Sequence, residues 1–308
     1  MSILPATHAD LLDRPLPTVL TTEMPDGRLQ STVVWCNRDG DDVLLNTMRE
    51  FQKARNLRAR PRATVLVIEP GKAARWIEVR GTVALEDDDA IAHLDHLSRL
   101  YAGTSPYFGE VVPADLAAVE HPVRCRLTPR AVRTGPTYVR GGRRLSGPLR
   151  VAPAAHRSCE GEPRLPATHR DLLDRPLLAA LSTRMPDGAA QTQPVWCEPD
   201  GNDVLVNTTR ERRKGRNLAA DPRATVLILD PDDGTRWIEV RADAELVEDG
   251  AVGQLDRLTR QYTGSARYYG TIYPVEQREH ETRVIARLHP RRITFDAIHR
   301  PGPRERVA

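Results

Sequence analysis

Residues 207–218 read NTTRERRKGRNL, with Arg210, Arg212, Arg213, Lys214 and Arg216 set against the single acid Glu211. A second stretch, NTMREFQKARNL at 46–57, follows the same pattern with fewer charges. It carries Arg49, Lys53 and Arg55 against Glu50, and Phe51 and Gln52 stand where the other stretch has Arg212 and Arg213. Both read as the end of a strand running into a helix, and the free N–H groups of a helix start attract anions. Of 45 basic residues only Lys53, Lys72 and Lys214 are lysine, so arginine carries the ordinary surface charge. Two of these three lysines nevertheless occupy matching places, where a compact point charge on a slim stem suits a phosphate. A solvated helix face, copied with the rest of the segment, would read the same way.

Other side chains near these segments have two readings each. Thr22, Thr183, Asn46, Thr47, Asn207 and Thr208 fall at strand ends, where they can bond a ring carbonyl or simply form turns. The pairs Trp35/Trp196 and Trp76/Trp237 can flank a flat ring or pack a core. Nothing resembles a Ser-His-Asp set or a defensible pair of catalytic carboxylates. A phosphate-and-ring site without catalytic side chains points to chemistry carried by a cofactor.

The elements that position these groups occur twice. LPATHADLLDRPL at 4–16 returns as LPATHRDLLDRPL at 165–177, and the offset of 161 holds without a gap from Pro5/Pro166 to Thr137/Ile298. From 5 to 80 the copies agree at 48 of 76 positions, against 18 of 57 from 81 to 137, a skew that points to stricter physical demands on the first part of each copy and that core strands would also produce. The unit is far longer than a solenoid repeat and is a duplicated domain. The expected organisation is a first domain at 1–138, a Gly/Pro/Arg-rich linker at 139–164, a second domain at 165–300 and a tail at 301–308. In the first copy, ATHADLLDRP predicts a short helix with Thr7 as N-cap. Strands are expected at LPTVLTTEM, RLQSTVVWCN and DVLLNT, joined by Asp-Gly turns into an antiparallel meander. A helix over about 50–59, strands at ATVLVIE and RWIEVRGTVALE, a helix at DAIAHLDHLSRLYAG and a strand at VRCRLTP complete the unit. Ile91, Leu94, Leu97 and Leu100 are expected on the buried face of the second helix. Six strands with two helices suit a small barrel, mainly β with short helices (α+β).

Composition narrows the class. The chain of 308 residues is 40% apolar and 28% charged, and its longest apolar runs are strand-sized, so no membrane partner is expected. The N-terminus lacks the pattern of a secretory signal. Cys36, Cys125, Cys159 and Cys197 form no C-x-x-C pair, so reduced thiols, no metal site and a cytoplasmic location are expected. The formal charge is +3, and residues 139–164, with six arginines and two glutamates, contribute +4 of it. With the remainder near neutral, no nucleic-acid partner is expected.

The run DGRLQSTVVWCNRDGDDVLLNT, then KARNLRARPRATVLVIEP and RWIEVRGTVAL, with its counterparts in the second copy, resembles the pyridoxamine-5′-phosphate-oxidase-like flavoproteins. Within them it is most similar to the actinobacterial oxidoreductases that use the deazaflavin coenzyme F-420. The resemblance implies two tandem split β-barrels that pair face to face as an intrachain pseudo-dimer, able to act as a monomeric chain. It also implies cofactor grooves between the barrels and hydride transfer to an organic small-molecule substrate. The cofactor phosphate would be held by Lys214, Arg212 and Arg216 with Asn207, Thr208 and Thr209, while Pro194, Val195 and Trp196 would run beside the ring. Lys53, Arg55, Thr47 and Trp35 would form the counterpart groove, which departs from the pattern at Val33 and Phe51. FMN as the cofactor, or a non-catalytic flavin, deazaflavin or haem carrier, are the alternatives on the same fold.

Overall fold

The computed structural model describes residues 2–72, 74–135 and 163–296. The chain divides into two compact units, Met1–Pro136 and Thr137–Ala308. The expected linker at 139–164 lies, apart from its last two residues, outside the described residues, as does the tail at 301–308. Among the described residues no helix is long and apolar enough to cross a membrane.

The first unit contains β1 (Thr18–Glu23), β2 (Leu29–Val34), β3 (Cys36–Asp39), β4 (Asp42–Met48), α1 (Gln52–Ala59), β5 (Arg62–Ile68), β6 (Trp76–Glu86), α2 (Ala90–Ala102) and β7 (Pro122–Thr134). The second repeats them as β8 (Ala179–Arg184), β9 (Ala190–Val195), β10 (Cys197–Asp200), β11 (Asp203–Thr209), α4 (Arg213–Ala220), β12 (Arg223–Leu229), β13 (Trp237–Val247), α5 (Ala251–Thr263) and β14 (Arg283–Phe295). It adds a short α3 (Arg170–Asp174) near its start. Each unit is an antiparallel seven-stranded sheet, ordered β2-β1-β5-β6-β7-β4-β3 and β10-β11-β14-β13-β12-β8-β9.

The expected strand RLQSTVVWCN is in fact two. It breaks at Trp35, and its halves lie at opposite ends of the sheet order, so the three-strand meander does not form. The chain turning through Trp35 is what closes the sheet on itself, and Trp196 does the same between β9 and β10. Inside each barrel, alternate side chains make the core. Val43, Leu45, Val65, Val67, Ile77, Val79, Cys125 and Leu127 fill the first, and Val204, Val206, Val226, Ile228, Ile238, Val240, Ala286 and Leu288 the second.

Two local expectations are corrected. Thr7 does not cap a helix: its hydroxyl bonds His8 Nδ1 at 2.9 Å, and His8 precedes a single 3-10 turn at Ala9–Leu12 whose Leu11 and Leu12 enter the core. On α2 the buried face is Ala90, His93, Leu94, Leu97 and Ser98, whereas Ile91 is 48% exposed. The buried stripe follows His93 because α2 lies over β4, where Asn46 donates through Nδ2 to Ala90 O at 2.8 Å and to His93 Nδ1 at 3.3 Å.

Candidate functional site

β11 ends at Thr209, and α4 starts only four residues later. Arg212 is the N-cap, in extended conformation, and supplies no side-chain hydrogen bond to the first turn. That turn contains no acidic residue. Its partial positive charge therefore meets no neutralising group from its own helix. The turn leading into it is closed by Thr209, whose carbonyl and hydroxyl oxygens accept the Arg212 N–H at 3.3 and 3.2 Å. A Cβ on Gly215 would come 2.0 Å from the Thr209 carbonyl oxygen, so only glycine lets the helix lie this close to the strand end.

The inner face of α4 is anchored. Asn217 donates to Thr183 Oγ1 at 3.0 Å and Gln191 Oε1 at 3.3 Å, and Leu218 enters the barrel core. Arg213 and Arg216 are exposed and Lys214 is half-buried, so three cations stand outside a rigidly seated helix start. The first unit has the same scaffold, with Asn56 donating to Thr22 Oγ1 at 3.0 Å and Gln30 Oε1 at 3.1 Å. Its cations are differently engaged. Arg55 donates to Glu50 O at 2.5 Å and Gln52 Oε1 at 3.0 Å, and Lys53 Nζ lies 5.4 Å from the centre of the Phe51 ring.

The structure brings only part of the expected set to the helix start. Thr209, Arg212, Lys214 and Arg216 are there, as are Lys53 and Arg55 in the first unit. Thr208 and Thr47 share the core-facing side of their strands with the valines and leucines, and their buried hydroxyls have no hydrogen-bond partner. Asn207, on the other side of β11, ties the strand to α5 by donating to Ala251 O and Gln254 Oε1, each at 2.8 Å. Val195 belongs to the core and Pro194 is half-buried opposite Ala180. The Trp196 ring stacks on Tyr262 at 5.2 Å and 20° and meets Tyr268 edge-on. Trp35 does the same with Tyr101 and Tyr107. These tryptophans thus pack against the aromatic side chains of their own unit, and Trp76 and Trp237 are buried.

A group absent from the sequence reading sits beside the α4 start. Arg283, at the beginning of β14, is 6% exposed. It donates through Nη2 to Glu281 Oε1 at 2.5 Å, through Nε to the Tyr269 hydroxyl at 2.8 Å and through Nη1 to Asn207 Oδ1 at 3.3 Å. Its guanidinium also lies over the Tyr268 ring at 4.7 Å. The Tyr269 hydroxyl donates in turn to Glu281, and burial pushes this phenol up to about 12. Glu281 Oε2 reaches Arg212 at 3.7 Å, and the Arg212 guanidinium stands 5.9 Å from the Tyr273 ring centre. Part of the Arg212 charge is therefore balanced within the protein. Arg212, Tyr269 and Tyr273 correspond to Phe51, Phe108 and Val112, which join an apolar cluster in the first unit, and Arg283 corresponds to Pro122. That joint change across the repeat was the signal that could have revealed the cluster.

A family model described as pyridoxamine 5′-phosphate oxidase matches residues 4–126 and again residues 165–296. No match was found among curated proteins. Among solved structures, one named F420 Reductase is 31% identical, with 42% of this chain and 98% of that chain aligned and a TM-score of 0.37. A conserved hypothetical protein from Mycobacterium tuberculosis is 24% identical over 45% of this chain and 88% of its own, with a TM-score of 0.35. A putative pyridoxamine 5′-phosphate oxidase from Listeria innocua is 18% identical over 39% and 87%, with a TM-score of 0.31.

Proposed function

Because this chain belongs to the pyridoxamine 5′-phosphate oxidase family, we propose that it is a cytoplasmic oxidoreductase whose cofactor is the deazaflavin F-420, held by its anionic groups at the start of α4. The observation that carries this reading is the uncapped, acid-free first turn of α4 with Arg213, Lys214 and Arg216 outside it. Those donors fit a phosphate: main-chain N–H groups aim along the helix axis, and the side chains supply charge that no residue of that turn neutralises. Thr209 and Gly215 fix the approach of helix to strand, so the anion grip is preorganised. Arg212, shared with Glu281, tunes the local field. Hydride exchange with an organic acceptor is the chemistry that a bound deazaflavin supplies.

The start of α1, where Phe51 replaces Arg212 and Arg55 is turned onto its own helix, is the weaker counterpart. Titration of the purified chain with F-420 and with FMN, followed by fluorescence, tests the assignment. F-420 is expected to bind more tightly than FMN. Lys214→Ala is expected to weaken F-420 by about 10- to 100-fold, the worth of one charged hydrogen bond, and Lys53→Ala by much less. Tighter FMN binding would replace the cofactor, and equal losses in the two variants would overturn the choice of site. Cofactor binding without turnover of any acceptor would make the protein a carrier.

A further inference from the structure

Arg212 is fixed at its main chain and loose at its tip. Its N–H is held by the carbonyl and hydroxyl oxygens of Thr209 at 3.3 and 3.2 Å. Its side chain is 28% exposed, and among the described residues nothing accepts a hydrogen bond from the guanidinium. The ion-pair partner is Glu281 Oε2, 3.7 Å from Nη2, and the Tyr273 ring centre lies at 5.9 Å. At that separation charge holds the pair, without a hydrogen bond.

Glu281 is the opposite case, buried and firmly held. Its Oε1 accepts from the Tyr269 hydroxyl and from Arg283 Nη2, each at 2.5 Å. Arg283 is itself fixed by its bonds to the Tyr269 hydroxyl and to Asn207 Oδ1. The carboxylate charge is thus balanced through Oε1, and Oε2 is turned toward Arg212. Withdrawing Arg212 leaves Glu281 paired with Arg283, so the large penalty of stranding a buried charge does not arise.

The N-cap position of Arg212 puts its main chain next to the first turn of α4. Rotation about its side-chain bonds carries the guanidinium from Oε2 to the front of that turn with no change in the backbone. A phosphate there presents several oxygens to the guanidinium fork, whereas Glu281 offers one at long range. The first unit has no such arrangement: Phe51, Phe108 and Pro122 stand at the positions of Arg212, Tyr269 and Arg283, although the carboxylate is kept as Glu120.

We propose that Arg212 exchanges between Glu281 and an anion at the start of α4, and that Glu281 is the positioning residue that competes for it and so sets the affinity of that site. Arg283 and Tyr269 keep the carboxylate balanced in either arrangement. The inference rests on the reading of the α4 start as the anion site.

Inorganic phosphate, titrated into the full chain and followed by NMR at the amides of Lys214 and Gly215 and at the Arg212 Nε–H, tests the exchange. All three signals are expected to move along one binding curve. Glu281→Gln, which keeps an oxygen for Arg283 and Tyr269, should tighten phosphate about fivefold, the worth of a partly exposed ion pair. In an Arg212→Gln background the same change should alter the affinity by less than about twofold. The wild-type Arg212 signal needs no substitution, so it decides the question even if Glu281→Gln fails to fold. An Arg212 signal that stays still while the amides move, or an equal gain in the Arg212→Gln background, would overturn the exchange and leave the helix-start reading standing. Amides that do not respond to phosphate would overturn both.

Discussion

His93 is the buried group of the first unit whose protonation the fold most directly opposes. Its ring is 8% exposed on the inner face of α2. The Asn46 amide is oriented by its bond to Ala90 O and donates to His93 Nδ1 at 3.3 Å, which leaves Nε2–H to donate to Asn37 Oδ1 at 2.9 Å. A proton on Nδ1 would set two donors against each other. Burial, together with the charges of Arg124, His96 and Arg126 and against the opposing pull of Glu86, holds the imidazole at about 4 rather than the usual 6.5. The unfolded chain therefore binds this proton first as the pH falls. The stability held by neutral His93 is fully present above pH 6.5 and is lost progressively down to about 4. The difference corresponds to about 3 kcal/mol.

The second unit suggests the substitution, since Gln254 occupies the equivalent position. Urea unfolding of the wild type and of His93→Gln, at pH 7.5 and at pH 4, is expected to show a stability difference between the proteins that changes by about 3 kcal/mol across this interval. Taking the difference cancels acid effects common to both, and NMR titration of the His93 ring gives the folded-state value directly. A ring that titrates near 6.5, or a stability difference that is flat with pH, would refute the reasoning.

Replacing Arg283 with Met should destabilise the second unit by about 3–5 kcal/mol, because Glu281 would keep a buried charge without its main partner. Adding Glu281→Gln and Tyr269→Phe should restore most of that stability; urea midpoints that stay low in the triple variant would show that the packing of Arg283 matters more than its charge. Gly215→Ala should cost about 1–3 kcal/mol through collision with the Thr209 carbonyl. The reverse change Ala54→Gly in the first unit should cost only about 1 kcal/mol, so similar midpoint losses would mean that the two helices seat alike.

Much of the architecture was legible in sequence because period-two runs, Asp-Gly turns and a repeat are local signals. The helices over 52–59 and 90–102 lie close to their expected places. The break at Trp35 was not legible, since VVWC carries strand-forming residues on both sides and only barrel closure requires the turn there. Ile91 followed a helical apolar spacing but has no neighbouring layer to bury it. For the candidate site, the basic helix starts were plain, and the alternation of β11 should have warned that Asn207 and Thr208 cannot face one ligand. The Arg283 cluster stayed hidden because its partners Tyr269 and Asn207 lie 14 and 76 residues away along the chain.

The position of β7 bears on the order of synthesis. The last strand of the first unit lies between β4 and β6, so without it the sheet falls into the separate pieces β2-β1-β5-β6 and β4-β3. Everything that leaves the ribosome before residue 122 can build these two pieces but cannot join them, and β14 holds the same place in the second unit. Two unpaired edges stay open on each nascent unit until its final strand arrives, and during that interval a growing chain is most exposed to pairing with the wrong partner.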